Sequence, residues 1–233
     1  MQTSFDIKGY ALDIQLNNTE HGRGEPLILL HGNGEDSTYF EHQIAFFQKR
    51  YRVIAVDSRG HGGTPRGDAP LTLDQFANDL LAFMDEQGID SAHILGFSDG
   101  ANVAMLFALA HPSRVKSLIL NSGNLFPEGL TEQTRREIDE EYEQAVAAND
   151  KSRLELLRLM IDEPHIDPVQ LAELNIPTLV VAGAHDMIEE THTRLIAESI
   201  PGAQLAFVEG THFVAFENPD AFNRVVGDFL NSH

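Results

Sequence analysis

One serine stands in a setting that can turn a hydroxyl into a nucleophile. Ser98 lies at the centre of a Gly-x-Ser-x-Gly turn, between Gly96 and Gly100, with an apolar run on each side. A serine becomes reactive when its hydroxyl is exposed and held beside a base, and a sharp strand-to-helix turn does this. The first amides of such a helix can stabilise an oxyanion. The plainer interpretation is a glycine-rich turn carrying a surface serine.

A base and an acid suited to that serine follow later in the chain. His212 can accept the serine proton because the pKa of histidine lies near neutrality. Asp186 can hold the other ring nitrogen of this histidine and so determine its tautomer. The chain order is therefore serine, aspartate, histidine, and each of the three residues follows an apolar run.

Short apolar runs alternate with amphipathic stretches over most of the chain, which predicts strands alternating with helices. The predicted strands cover 27–30, 53–56, the run around Ile94, 115–120, 177–182 and 205–208, and 5–16 is expected to hold two more. The predicted helices cover 39–49, 72–87, 99–110, 189–199 and 219–230.

This alternation indicates a parallel sheet covered by helices on both faces. Ligand sites in such sheets form at the carboxyl ends of the strands. His31, Asp57 and Ser98 all follow such ends, so their loops are expected to converge on one rim. For Asp57 we expect a role in bracing the loops.

The alternation stops between Asn121 and Asn175, where no strand-like run occurs. Two or more amphipathic helices are predicted there, and their place after a sheet strand favours a lid over the strand ends. The alternative is a helical excursion packed on the side of the sheet.

Composition excludes several classes of protein. The 36 acidic and 16 basic residues give a formal net charge of −20, which argues against binding to nucleic acid or to an anionic membrane. Cysteine is absent, so a thiolate metal site and a cysteine nucleophile are excluded. We see no signal peptide and no apolar run long enough to cross a membrane, and we therefore expect a cytoplasmic protein.

Five stretches together make the sequence resemble the α/β-hydrolase superfamily, and they occur in the order typical of that superfamily. They are His31-Gly32-Asn33-Gly34, Asp57-Ser58-Arg59-Gly60-His61-Gly62, Gly96-Phe97-Ser98-Asp99-Gly100, Gly183-Ala184-His185-Asp186 and Gly210-Thr211-His212-Phe213. The resemblance covers nearly the whole chain. It implies an α/β fold with a mostly parallel eight-stranded sheet flanked by helices and a small helical cap inserted after strand 6. Residues 1–122 and 176–233 would form the core, and residues 123–175 the cap.

The resemblance also implies roles. Ser98 would be the nucleophile, His212 the base and Asp186 the orienting acid. The backbone N–H groups of Asn33 and Asp99 would form the oxyanion hole. No cofactor is implied and a metal site is not expected. A small molecule would be the substrate, whereas the oligomeric state stays open.

Three further residues are candidates for contact with substrate, namely Asp99, Phe97 and His31. A carboxylate directly after the nucleophile would disfavour anionic substrates and attract a cationic group, such as an amine near an ester. Asp99 has an alternative role as a favourable negative charge at the helix start. His31 and His61 resemble the superfamily's structural loop histidines, and His185 is expected on the rim.

The first functional hypothesis is a serine hydrolase that cleaves a small carboxylic ester through an acyl-enzyme. Thioesters, lactones, amides and C–C bonds beside a carbonyl are alternatives because the same three residues serve them all. An alternative of another class is a ligand-binding receptor that keeps the hydrolase fold without catalysis.

Overall fold

The structure, a computed structural model, describes residues 13–233. Its seven strands are β1 Asn18–Gly22, β2 Glu25–Leu30, β3 Tyr51–Val56, β4 Ala92–Phe97, β5 Val115–Asn121, β6 Thr178–His185 and β7 Gln204–Thr211. They form one sheet in the order β1-β3-β2-β4-β5-β6-β7. β1 runs antiparallel to β3, and the other neighbouring strands are parallel.

Nine α-helices lie within the same described range. They are α1 Glu41–Phe47, α2 Leu73–Glu86, α3 Asp99–Ala110, α4 Glu132–Ala148, α5 Lys151–Asp162, α6 Pro168–Leu171, α7 Glu190–Ser199, α8 Val214–Glu217 and α9 Pro219–Leu230. From residue 13 onward, none of these helices combines the length and the apolarity that crossing a membrane requires.

The central strands are apolar throughout because both of their faces are buried. In β2, Leu27 and Leu29 pack into one core with side chains of α1 and α9. Ile28 and Leu30 point the opposite way, into a second core with α2, α3 and α7. This alternation follows from the two-residue period of a strand. The result is a sheet between two helical layers, as the sequence predicts.

The edge of the sheet differs from the prediction in one respect. β1 lies at 18–22, partly within a stretch that reads as a turn because it contains Gly22 and Gly24. Its side chains are mostly exposed, so the apolar pattern of a buried strand is missing. The two strands predicted within 5–16 fall mainly outside the described residues, and residues 13–17 form no strand. The described range therefore holds seven strands, compared with the eight expected.

The segment between β5 and β6 is helical, as predicted, and we call residues 123–175 the insert. It contains α4, α5 and α6. Leu130, Ile138, Ala145 and Leu157 of the insert pack with Ile188, which follows β6, into a third, smaller apolar cluster. The insert thus has a small core of its own beside the two cores of the sheet.

Candidate active site

Ser98 occupies a strained turn between β4 and α3. Its φ of 54° and ψ of −120° place a non-glycine residue in a sparsely populated region of backbone conformation. A Cβ on Gly96 would lie 2.2 Å from the Gly100 carbonyl oxygen, and one on Gly100 would lie 2.1 Å from the Leu30 carbonyl oxygen. Both glycines are therefore required by the close approach of strand and helix, which exposes Ser98 at the rim.

The structure brings Ser98, His212 and Asp186 into one hydrogen-bonded chain. His212 Nε2 lies 3.0 Å from Ser98 Oγ, and His212 Nδ1 lies 2.7 Å from Asp186 Oδ1. A single neutral tautomer satisfies both contacts, because Nδ1–H donates to the carboxylate while Nε2 accepts from the serine hydroxyl. This is the geometry that general-base activation of a serine needs.

The side chain of Asp186 is buried and receives several donors besides His212. The Ser122 hydroxyl donates at 2.6 Å, and the amides of Gly183 and Ile188 donate at 3.2 and 3.0 Å. Burial by itself raises the pKa of Asp186, but His212 and the other donors outweigh it and hold the pKa below its ordinary value. The carboxyl therefore stays ionised and can orient the imidazole.

Sequence reasoning missed Ser122, although its position offered a signal. It directly follows β5 and has a φ of 56°, so like Ser98 it adopts a positive φ that non-glycine residues rarely show. Its amide donates to the Val181 carbonyl at 2.9 Å, which places it at the same rim as the loop of Asp186. A serine at a strand end of this rim was a candidate by position alone.

The amides of Asn33 and Asp99 are available for a ligand. Both residues line the same cavity as Ser98. Within residues 13–233, neither backbone N–H donates to a protein acceptor. Two free amides beside a nucleophile are the arrangement that stabilises a tetrahedral oxyanion.

His31 braces the loop of Asn33. Its Nδ1–H donates to the Gly32 carbonyl at 2.7 Å, and its Nε2 accepts from the Ser58 amide at 2.9 Å. Burial lowers the pKa of His31 to about 4, so the ring stays neutral and keeps this tautomer. Because a peptide carbonyl and its N–H point in opposite directions, holding the Gly32 carbonyl also orients the Asn33 amide.

Two of the predicted substrate contacts do not line the cavity that contains Ser98. His31 does not line the cavity that contains Ser98, since its ring nitrogens are occupied by the backbone contacts just described. Phe97 is fully buried in β4 and stacks on Tyr39 with ring centroids 4.4 Å apart. The side chains of His31 and Phe97 thus lie behind the residues that line the cavity. His185, predicted on the rim, is exposed there and lies 3.5 Å from Glu209.

The rim aspartate Asp57 braces the loops, as predicted. Its Oδ1 accepts from the Ser37 amide at 2.8 Å, and its Oδ2 accepts from the Gly63 amide at 2.8 Å and from the Asn17 side chain at 2.7 Å. Burial opposes ionisation, but these donors hold the pKa of Asp57 below its ordinary value. Three separate segments are thereby tied to the end of β3.

The cavity beside Ser98 has a volume of about 140 Å³ and is closed on one side by the insert. Leu130, Arg153, Met160 and Glu163 of the insert face Ser98 across it. The insert therefore lies over the carboxyl ends of the strands rather than only on the side of the sheet.

Three carboxyl groups line this cavity, and sequence reasoning had identified only Asp99 among them. Burial raises the pKa of Glu35 to about 7, and burial also raises the pKa values of Asp99 and Glu163. The guanidinium of Arg153 lines the cavity too, but it is engaged by Glu141 at 2.6 Å. Neither Glu35 nor Glu163 stands in a motif, so only the folded structure shows that both line the same cavity.

Asp99 does not cap α3 through its side chain. It is the first residue of the helix, and its Oδ2 instead accepts from the Asn33 side chain at 3.0 Å. No donor among residues 13–233 reaches Asp99 Oδ1. One oxygen of this buried carboxyl is thus free to meet a ligand.

A family model described as alpha/beta hydrolase fold matches residues 25–160. The chain belongs to the alpha/beta hydrolase family. It is 27% identical to the 3-oxoadipate enol-lactonase 2 of Acinetobacter baylyi, over 93% of each chain. It is 30% identical to the 2-hydroxy-6-oxononadienedioate/2-hydroxy-6-oxononatrienedioate hydrolase of Cupriavidus pinatubonensis, over 97% of this chain and 94% of the relative. The crystal structure of a hydrolase from Pseudomonas aeruginosa PA01 superposes with a TM-score of 0.79 at 25% identity, covering 95% of this chain and 99% of that one.

In this alpha/beta hydrolase, Ser122→Ala should lower kcat about tenfold, because a buried carboxylate loses a charge-assisted donor worth about 1.5–3 kcal/mol and orients His212 less well. Initial rates on a short p-nitrophenyl ester measure the loss. Ser117→Ala is the matched control, since Ser117 is buried in the same strand but contacts His93 Nδ1 at 2.8 Å. Equal rates in the two variants would contradict the role of Ser122.

The raised pKa of Glu35 predicts a pH-dependent stability. Burial raises the pKa of Glu35 from its ordinary value of 4.5 to about 7 in the folded state, so the folded state binds more protons between these pH values. Stability should therefore fall as pH rises through that window, and Glu35→Gln should remove about 2 kcal/mol of this fall. Urea unfolding between pH 5 and 8 measures it, with exposed Glu140→Gln as control. Parallel curves for wild type and Glu35→Gln would refute the assignment.

Proposed function

We propose that this protein is a serine hydrolase that cleaves a small carboxylic ester through an acyl-enzyme. The observation that carries the proposal is the hydrogen-bonded chain Ser98–His212–Asp186, which ends at a cavity of about 140 Å³. The volume suits a short acyl or alcohol group. Nucleophilic catalysis by serine requires a base beside the hydroxyl and an ionised acid that orients the base, and these three hydrogen-bonded side chains supply both.

The first half of the reaction forms the acyl-enzyme. His212 Nε2 takes the hydroxyl proton while Ser98 Oγ bonds to the ester carbonyl carbon. The negative charge moves to the carbonyl oxygen, where the amides of Asn33 and Asp99 donate to it. The C–O bond to the alcohol then breaks, and His212 returns the proton to the leaving oxygen.

The second half releases the acid. Water enters the site of the departed alcohol and gives its proton to His212 while it attacks the acyl carbon. The same two amides stabilise the second tetrahedral intermediate. Collapse of this intermediate restores the Ser98 hydroxyl and frees the carboxylic acid. Asp186 keeps Nδ1 protonated and oriented throughout.

The charge of the cavity favours substrates without a carboxylate. Glu35, Asp99 and Glu163 face it, and although burial raises the pKa of each, a bound cation would favour their ionised forms whereas a bound carboxylate would not. Arg153 is paired with Glu141. A dicarboxylate, as in the name of the Cupriavidus relative, would meet repulsion here. We therefore infer that the preferred ester is neutral or carries a basic nitrogen, which Asp99 Oδ1 can receive.

Hydrolysis of p-nitrophenyl esters from acetate to decanoate tests the main proposal. Wild type should turn over the short esters, and Ser98→Ala should lose about 10³-fold or more of kcat while keeping its unfolding midpoint. Activity that survives in Ser98→Ala would mean another nucleophile. A wild type that hydrolyses no ester but retains bound ligand would favour a receptor.

The role of Asp99 is tested with L-alanine benzyl ester and benzyl propanoate, which differ only in the amino group. Asp99→Asn should reduce the preference for the amino ester about tenfold at pH 7, because a charge-assisted contact becomes a neutral one. Benzyl alcohol release gives kcat/KM for each substrate, and Asp228→Asn, exposed on α9, is the matched control. An unchanged ratio in Asp99→Asn would remove Asp99 from substrate recognition.

A further inference from the structure

The side chain of Asn33 joins three parts of the molecule at the oxyanion loop. Its Nδ2 donates to Asp99 Oδ2 at 3.0 Å and to the Leu156 carbonyl at 2.9 Å. Asp99 carries the second free amide of the site, and Leu156 lies in the middle of α5 in the insert. One amide group therefore links both predicted oxyanion donors to the helix that covers them.

Chemistry determines the orientation of this side chain. Both of its partners are acceptors, so only the NH₂ end of Asn33 can face them. The opposite atom, Asn33 Oδ1, is buried and has no donor within residues 13–233. A buried carbonyl oxygen without a partner is unfavourable, and the two donated bonds must offset that cost. This arrangement is therefore specific, because turning the amide over would bring oxygen against oxygen at both contacts.

Apart from the bonds of the Asn33 side chain, residues 13–233 hold the peptide between Gly32 and Asn33 only on its Gly32 side. His31 fixes the Gly32 carbonyl at 2.7 Å, and Glu35 Oε2 accepts from the Gly32 amide at 3.0 Å. The first contact holds the carbonyl end of the peptide plane that carries the Asn33 N–H, and the second holds the preceding peptide. The Asn33 Cα lies at the opposite corner of that plane, so the two bonds of the Asn33 side chain anchor the plane at its other end.

The anchor on α5 is itself fixed to the core. Glu155 pairs with Arg66 through two contacts of 2.8 and 3.0 Å. Just beyond α5, Glu163 Oε2 accepts from the Leu73 amide at 2.8 Å. The Leu156 carbonyl between these two ties therefore has a defined place above the rim.

We propose that the Asn33 side chain is a positioning residue of the reaction, which sets its own backbone N–H in the oxyanion hole by bonding Asp99 and the Leu156 carbonyl of α5. This inference rests on the proposed function. It assigns the insert a part in transition-state stabilisation besides forming the wall of the cavity. A donor that shifts by a fraction of an ångström loses much of its effect on the oxyanion.

The test compares Asn33→Asp and Asn33→Ala with wild type. The aspartate keeps the size of the side chain but replaces the NH₂ by an oxygen that faces two acceptors. Neither variant alters the backbone N–H itself. Both should lower kcat for p-nitrophenyl butyrate about 10- to 100-fold with little change in KM, because the oxyanion forms only in the transition state.

Diethyl p-nitrophenyl phosphate provides a second, uncharged probe of the same hole. Ser98 Oγ bonds to phosphorus, p-nitrophenolate leaves, His212 receives the serine proton, and the phosphoryl oxygen occupies the oxyanion position. The burst of p-nitrophenolate should slow in both variants by about the same factor as kcat.

Asn223→Ala is the matched control, since Asn223 is a buried asparagine of α9 that accepts from Gln43 at 3.1 Å, away from the site. It should lower the unfolding midpoint but leave the burst rate unchanged. A burst rate in Asn33→Asp equal to that of wild type, or lowered only as in Asn223→Ala, would overturn the proposal. A wild type with neither burst nor turnover would instead refute the proposed function itself.

Discussion

The candidate site depends first on how closely β4 and α3 approach each other at Ser98. The backbone of Gly96 faces the backbone of Gly100, and Gly100 faces the carbonyl of Leu30, at distances that leave no room for a Cβ. Packing of apolar side chains on both sides of the sheet holds this crossing in place, and it compels Ser98 to adopt its strained conformation. The energy of burial in the two cores thereby maintains a local conformation that the isolated turn would not favour.

Around that crossing, hydrogen bonds from buried polar side chains fix the positions of the loops, which apolar packing does not do. Asp57 ties three segments to the end of β3, while His31 fixes the peptide before Asn33. Asp186 is held by two amides of its own loop and by the side chains of Ser122 and His212 from two other loops. Loops are more mobile than the strands and helices they connect, so the accuracy of the site comes from these directional contacts.

Much of this arrangement was predictable, and the reason is local. The continuous apolar runs of β2 to β6 and the glycines around Ser98 are sequence signals that do not depend on distant residues. The order of Ser98, Asp186 and His212, read with a parallel sheet, predicted that they follow strand ends, and the structure places them within hydrogen-bonding distance. The cores followed from the same periodicity, and the position of the insert followed from its place after a sheet strand.

The other features could not be predicted from the sequence, because they depend on contacts between residues far apart in the chain. Nothing near Glu35 or Glu163 signals that both line the cavity, and Phe97 and His31 were misplaced because adjacency in sequence does not tell which way a side chain points. β1 was not predicted, because an exposed edge strand has no apolar pattern. Each of these needed the fold itself.

The acceptor on α5 has a bearing on how such a protein can diverge. It is the main-chain carbonyl of Leu156, which any residue supplies as long as the helix persists. Side chains of the insert that line the cavity can then be exchanged in the course of evolution, and with them the range of substrates accepted, while the main-chain acceptor for Asn33 is inherited unchanged. Within this one helix, the side chains can change specificity while the main chain continues to support the chemical step.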